Sequence, residues 1–358
     1  MELVKFLYDD KNPLPQDESF YHQALQDIEY DGIQSQIYFL LKQQARIDQT
    51  PAFFQYRLKE EYDKGLYQNL FIKNQTDQVL RVFEDQGIDV IPLKGVYFAE
   101  NFFGQIGARA TSDIDLLVKD HDLESSIRSI KSLGFSVEEE KIPGHFHCSF
   151  SKALPYTGTP LVVELHWNFV RENTSKFNIN DIWAQSLPVG RSMHVKELSP
   201  SHTFYMICLH GWRHNLDSMK YFIDIIQVIY KYREELNYEQ IFRLAASHQT
   251  LKRMIRTLSI VYQQFPHLND IKKVPFKIKK TQWEYRPPKS VKQYIDFIDY
   301  QFFSFDTVKH SLIELVNWVW PSQYEVSSQI ENDSNGINMY YSLYKKRVAS
   351  MFKSLFHH

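Results

Sequence analysis

With 358 residues, 41 of them basic and 43 acidic, the chain is long enough for one large or two modest domains. Its charge is too balanced to demand a nucleic acid or an anionic membrane as partner. Two cysteines, Cys148 and Cys208, form no Cys-x-x-Cys pair, no uncharged stretch nears the ~18–20 residues of a membrane span, and no long apolar leader opens the sequence; we expect a soluble, cytoplasmic protein.

Residues 17–46 carry apolar side chains at helical spacing, and Pro51 opens a second, longer helical pattern running through Phe83, with a break expected near Gly65. We assign 1–86 to an N-terminal helical cap beside a catalytic core. From Gly87 the pattern changes. Strands are expected at 88–93, 113–118, 135–140, 146–151 and 161–167, with helices at 95–103 and 121–133 between the first three. Asp120 or Asp122 is placed to cap the second helix and Gly134 to end it. Turn residues Pro155 to Gly158 join the last two strands. This order fits a small mixed sheet backed by helices on one face.

Residues 169–197 read as irregular, with a short strand near 191–196, which closes a core of 87–197. Helices then dominate a C-terminal domain of 198–358, at 200–213, 217–235, 238–247, 250–264, 290–302, 306–318 and 338–354. A basic, proline-bearing connector, 269–289, interrupts them; its lysines with Trp283 and Tyr285 offer a polyanion such as tRNA phosphate contacts and stacking, though a solvated linker reads better.

The chemistry concentrates in the run Asp113-Ile-Asp-Leu-Leu-Val118. Side chains alternate along a strand, so Asp113 and Asp115 share one face while Ile114 and Leu116 take the other. Adjacent carboxylates repel unless a cation lies between them, and hard oxygen ligands suit Mg²⁺ or Mn²⁺. Upstream, Lys94-Gly95 ends an apolar run and opens a helix, a turn where a glycine lets backbone approach a phosphate. Downstream, Leu161-Val-Val-Glu-Leu-His-Trp167 puts Glu164 and His166 on one strand face, so Glu164 can complete a three-carboxylate site.

The order of Lys94-Gly95, a helix, Arg109 to Val118 and Val163-Glu-Leu-His-Trp167 resembles the DNA polymerase β-like nucleotidyltransferase superfamily, and within it bacterial nucleotidyltransferase family 5. Leu198-Ser-Pro-Ser-His-Thr-Phe204, Leu209-His-Gly-Trp-Arg-His214 and Tyr221-Phe-Ile-Asp224 look like that family's helical follow-on. Where most of the superfamily has Gly-Ser or Gly-Gly, this chain has Lys94-Gly95-Val96. The resemblance implies an α+β fold, with a polymerase β-like core flanked by helical regions. It also implies Mg²⁺-dependent transfer of a nucleoside monophosphate from an NTP such as ATP to a hydroxyl or phosphate, with pyrophosphate leaving. Asp113 and Asp115 would hold the metal, with Glu164 completing the site or acting as general base. Lys94, Gly95, Arg109, Ser112 and His214 would meet the nucleotide. The acceptor stays open among a small molecule, a peptide and tRNA. A non-catalytic NTP- or RNA-binding module and a phosphotransferase are the alternatives.

The remaining histidines are weaker signals. His145 and His147 would share a strand face but lack a further ligand, which makes zinc improbable. His210 and His214 lie one helical turn apart, without the glutamate of a zinc protease, and His166 can touch the acceptor or orient Glu164. Arg213 is a further candidate for the cleft, and Asp224 for anchoring its face.

Overall fold

The first helices prepare the surface on which the sheet is laid. In the computed structural model, which describes residues 2–9, 13–142, 144–153, 159–284, 290–321, 326 and 337–356, they are α1 (Glu2–Tyr8), α2 (Glu18–Asp31), α3 (Gln34–Gln43) and α4 (Ala52–Asp85). Asp17 caps α2 by accepting the Ser19 N–H at 3.1 Å, and Gly32, at φ +63°, ends it. The break expected near Gly65 does not occur: α4 runs for 34 residues without interruption. Gly65 serves close packing, because a Cβ there would lie 2.9 Å from the Ser35 hydroxyl of α3. That contact outweighs a helix-propensity cost of about 1 kcal/mol.

Five strands form one mixed sheet: β1 (Val90–Pro92), β2 (Asp113–Val118), β3 (Ser136–Glu139), β4 (His147–Lys152) and β5 (Leu161–His166), in the order β1-β2-β5-β4-β3. Only β2 and β5 run parallel. Between β1 and β2, α5 (Gly95–Phe98) widens into a π turn over Ala99–Phe103. Helix α6 (Leu123–Ser132) follows β2, and Gly134, at φ +86°, lies just past its end as expected. Neither aspartate caps it by side chain. The chain enters through a 3₁₀ turn, Asp120–Asp122, and the Asp122 carbonyl instead accepts the hydroxyls of Ser125 and Ser126 at 2.7 and 2.8 Å. The turn expected at 155–158 lies outside the described residues.

The alternation of β2 and β5 gives the sheet two different faces. Ile114, Leu116, Val118, Val163 and Leu165 pack with Leu80 and Phe83 of α4 and Ile130 of α6 in one apolar cluster. Leu117 and Ile91 join a second cluster on the opposite face, which also takes in the C-terminal helices. The short strand expected near 191–196 appears as a two-residue ribbon, β6 (Leu187–Pro188) with β7 (Lys196–Glu197). The Glu84 carboxylate fixes it to the end of α4 by accepting the N–H groups of Met193, His194 and Val195 at 2.7–3.0 Å.

After a short α7 (Ile179–Trp183), the helices are α8 (Pro200–Arg213), α9 (Met219–Tyr232), α10 (Tyr238–Ser247), α11 (Leu251–Gln264), α12 (Leu268–Ile271), α13 (Val291–Ile298), α14 (Val308–Val319) and α15 (Ile337–Phe356). Ser199 caps α8 with Pro200 in its first turn, and Ser218 caps α9. One apolar cluster reaches from Leu3 to Trp283, so N-terminal and C-terminal helices share a core. Trp283 lies in that core, donating its indole N–H to the Asn215 carbonyl at 2.6 Å, and is not available to stack on a base. Tyr285 lies outside the described residues. Among the described residues no helix is long and apolar enough to cross a membrane.

Candidate active site

The parallel pairing of β2 with β5 sets the carboxylates side by side. Asp115 lies opposite Glu164 and Leu117 opposite His166, while β4 adds His147 opposite His166 and Ser149 opposite Glu164. Helix α4 holds the approach to β2 in place. The buried Asn69 amide donates to the carbonyls of Ile106 and Arg109 at 2.6 and 2.7 Å and accepts the Thr111 N–H at 3.1 Å. Gln68 donates to the Thr111 carbonyl at 2.9 Å. Gly95, at φ +68°, turns tightly over this segment; a Cβ there would stand 3.4 Å from the Asp113 carbonyl.

Asp115 is the buried centre of a charge network. Its two oxygens meet Lys94 Nζ and His166 Nε2, each at 3.1 Å, and His166 Nε2 also lies 3.1 Å from Glu164. Burial works against ionisation of Asp115, but Lys94 and His166 outweigh it and hold its pKa well below the usual range. Glu164 is likewise lowered against its burial by the His166 hydrogen bond. His166 loses basicity to burial and regains more from the two carboxylates, so its pKa is raised. Asp113 behaves oppositely, its pKa raised by burial and by Asp115. Among the described residues it has no hydrogen-bond or ion-pair partner.

A cationic wall from α8 and α9 faces these acids across a cavity of about 280 Å³. Arg213 stands over the Phe146 ring at 4.6 Å, and His214 stacks on Tyr221 with ring centres 5.0 Å apart. Burial pushes His214 down to about 4 and His210 well below its ordinary value, so both are neutral at pH 7. Lys220 is pushed down to about 8, by the Arg109 charge first and burial second, and stays mostly protonated.

The cavity brings together Asp113, Asp115, Glu164, Lys94, Arg109 and His214 of the residues expected from sequence, with His166 and Arg213. Gly95 shapes the turn beneath it, and Ser112 faces a neighbouring groove together with Asp113 and Glu164. Arg109 is committed elsewhere: its guanidinium forks onto Asp224 of α9 at 2.8 and 2.9 Å. It thus lends the site positive charge and ties the loop before β2 to α9; Asp224, expected to anchor the Arg213 face, pairs with Arg109 instead. The two histidines of His145-Phe-His147 keep their ring centres 6.3 Å apart but line different cavities. Because β4 begins at His147, only His147 enters the site, stacked on His166 at 5.2 Å, and His145 lines another cavity. Lys220 in the cavity lining and the Asn69 clamp are features that sequence reasoning missed. No local signal marks them, since a lysine in the first turn of an amphipathic helix reads as surface.

The donor set suits a divalent cation. Asp115, Glu164 and His166 offer ligand atoms within 4.8 Å of one another, the one such group among the described residues, and Asp113 presents a carboxylate to the same cavity. A nitrogen ligand among oxygens is better tolerated by Mn²⁺ than by Mg²⁺.

No curated protein and no solved structure matches the chain. The sequence profile of a protein family described as uncharacterised nucleotidyltransferase matches residues 22–266, which takes in the whole sheet, the acidic cluster and the cationic wall. The chain belongs to that nucleotidyltransferase family.

Proposed function

We propose that the protein transfers a nucleoside monophosphate from an NTP to an acceptor hydroxyl or phosphate, with Asp113, Asp115 and Glu164 holding Mg²⁺ or Mn²⁺ and His166 beside them. The observation that carries this is the facing of buried acids by a cationic wall across one cavity. Acids alone would repel a triphosphate, and cations alone would bind it without activating it. When bound, a divalent cation would neutralise phosphate charge and make an acceptor hydroxyl easier to ionise.

The chain's own residues divide the remaining work. Lys220 and Arg213 bind the triphosphate as charges from the helical side, with neutral His214 and Tyr221 alongside, and Lys94, paired with Asp115, adds its charge from the turn after β1. Arg109 supports them from its Asp224 pair and does not fork a phosphate itself. The acceptor oxygen forms its bond to the α-phosphorus as the bond from that phosphorus to the bridging oxygen breaks, and pyrophosphate leaves with the electron pair. Glu164, ionised and at the cavity wall, is placed to take the acceptor proton. His166, hydrogen-bonded to both Glu164 and Asp115, orients the two carboxylates.

The test is incubation with each α-labelled NTP, Mg²⁺ or Mn²⁺ and a cell extract, following label transfer and pyrophosphate together. Stoichiometric pyrophosphate is expected. Release of a nucleoside diphosphate with γ-label transfer would mean a phosphotransferase, and NTP binding without either product a non-catalytic module.

A further inference from the structure

The catalytic carboxylates are shared by two cavities of opposite character. The cationic one holds Lys94, Arg213 and Lys220. On the other side of Asp113 and Glu164, between α4 and strands β3 to β5, lies a groove of about 910 Å³ with no lysine or arginine among the described residues that line it. We propose that this groove binds the acceptor, and that the acceptor is an amine-bearing, polyhydroxylated small molecule. The proposal rests on the nucleotidyl-transfer reading above and names the second substrate of that same site.

Electrostatics assigns the two cavities. Glu138 and Glu139 line the groove together with Asp113 and Glu164, a field that repels a triphosphate and equally a nucleic-acid backbone. The nucleotide therefore belongs to the cationic side, and what enters the groove is neutral or positively charged. Glu139 has the His147 ring 3.9 Å away, and Glu138 is exposed to incoming ligand. An ammonium group can pair with these carboxylates while its hydroxyls reach inward.

Two further features point to a built site. Ser149 is only 5% exposed, faces the groove, and sits opposite Glu164 in the β4–β5 register. Its hydroxyl, a donor and an acceptor, lies in the groove wall beside the proposed base. On the opposite side, Tyr67 and Phe71 lie one turn apart on α4 and remain 73% and 41% exposed. Such an aromatic pair beside acids suits the apolar face of a sugar ring or the flank of an ammonium group. The volume falls in the range of about 300–1,000 Å³ usual for small-molecule sites.

The experiment is calorimetric titration of the full chain with triglucosamine and with its tri-N-acetyl counterpart, which keeps the ring hydroxyls and loses the charge. ATP with Mn²⁺ is titrated separately. Triglucosamine should bind at least tenfold more tightly than the acetylated sugar. Glu138→Gln with Glu139→Gln should erase that preference, and Tyr67→Ala should weaken both sugars, all without altering ATP affinity. Equal binding of the two sugars, no binding of either, or a preference that survives the glutamine variant would overturn the assignment. ATP failing to bind would instead sink nucleotidyl transfer, which the sugar titrations do not address.

Discussion

The sheet wall of the cavity carries Asp113, Asp115 and Glu164 on two strands that pair directly, whereas the helical wall carries Arg213, His214 and Lys220 on α8 and α9, far later in the chain. On the sheet wall, function and stability share atoms: Asp115 is at once a ligand candidate and the acceptor for Lys94 and His166. On the helical wall they are separated. Arg109 and Asp224 pair with each other and tie α9 to the loop before β2, and Lys220 lines the cavity beside them. Substitution of Asp115 on the first wall should therefore disturb activity and folding together, and substitutions on the second should disturb them one at a time.

The largest effect is expected where that sharing is tightest. Asp113→Asn with Asp115→Asn should lower turnover at least a thousandfold, about 4 kcal/mol of transition-state stabilisation. The single variants sharpen the contrast. Asp113→Asn should leave the melting temperature unchanged, while Asp115→Asn, which weakens the acceptor of two cations, should lower it by several degrees in a thermal scan. Equal melting temperatures would show that the Lys94–Asp115–His166 network carries no stability.

Next is Asp224→Ala, which leaves the Arg109 charge buried and unpaired. Urea unfolding should record a loss of about 3–5 kcal/mol. Lys220→Met should do the reverse, raising the KM for NTP about ten- to a hundredfold, or roughly 1.4–2.8 kcal/mol, at unchanged stability. If Lys220→Met unfolded the protein, the division of labour on the helical wall would be wrong. Gly95→Ala is a smaller disturbance, about 1–2 kcal/mol from the positive φ that an L side chain rarely adopts, readable by denaturant midpoint. Smallest of all is His145→Ala, which should shift steady-state rates by less than a few-fold because that ring lies outside the site.

The sheet wall was legible because its information is local. A period of two on Asp113-Ile-Asp places both carboxylates on one face, and the same period in Glu164-Leu-His brings the third acid and its histidine partner. Strand β2 and helices α8 and α10 begin and end where the spacing predicts. Long-range pairing is not local, and there the expectations needed correcting. Arg109 reads as a phosphate fork until its partner, Asp224, is brought up by the packing of α9. Gly65 reads as a helix break until Ser35 of α3 is seen to fill the space where its side chain would be. Lys220 carries no signal at all, since its role comes from which face of α9 turns toward the sheet.

The central claim, that the buried acids hold a divalent cation in company with a triphosphate, is tested most directly by electron paramagnetic resonance of Mn²⁺ titrated into the protein with ATP. We predict Mn²⁺ binding that tightens when ATP is present and disappears in the Asp113→Asn, Asp115→Asn double variant. Mn²⁺ bound equally well by that variant, or binding indifferent to ATP, would contradict the account.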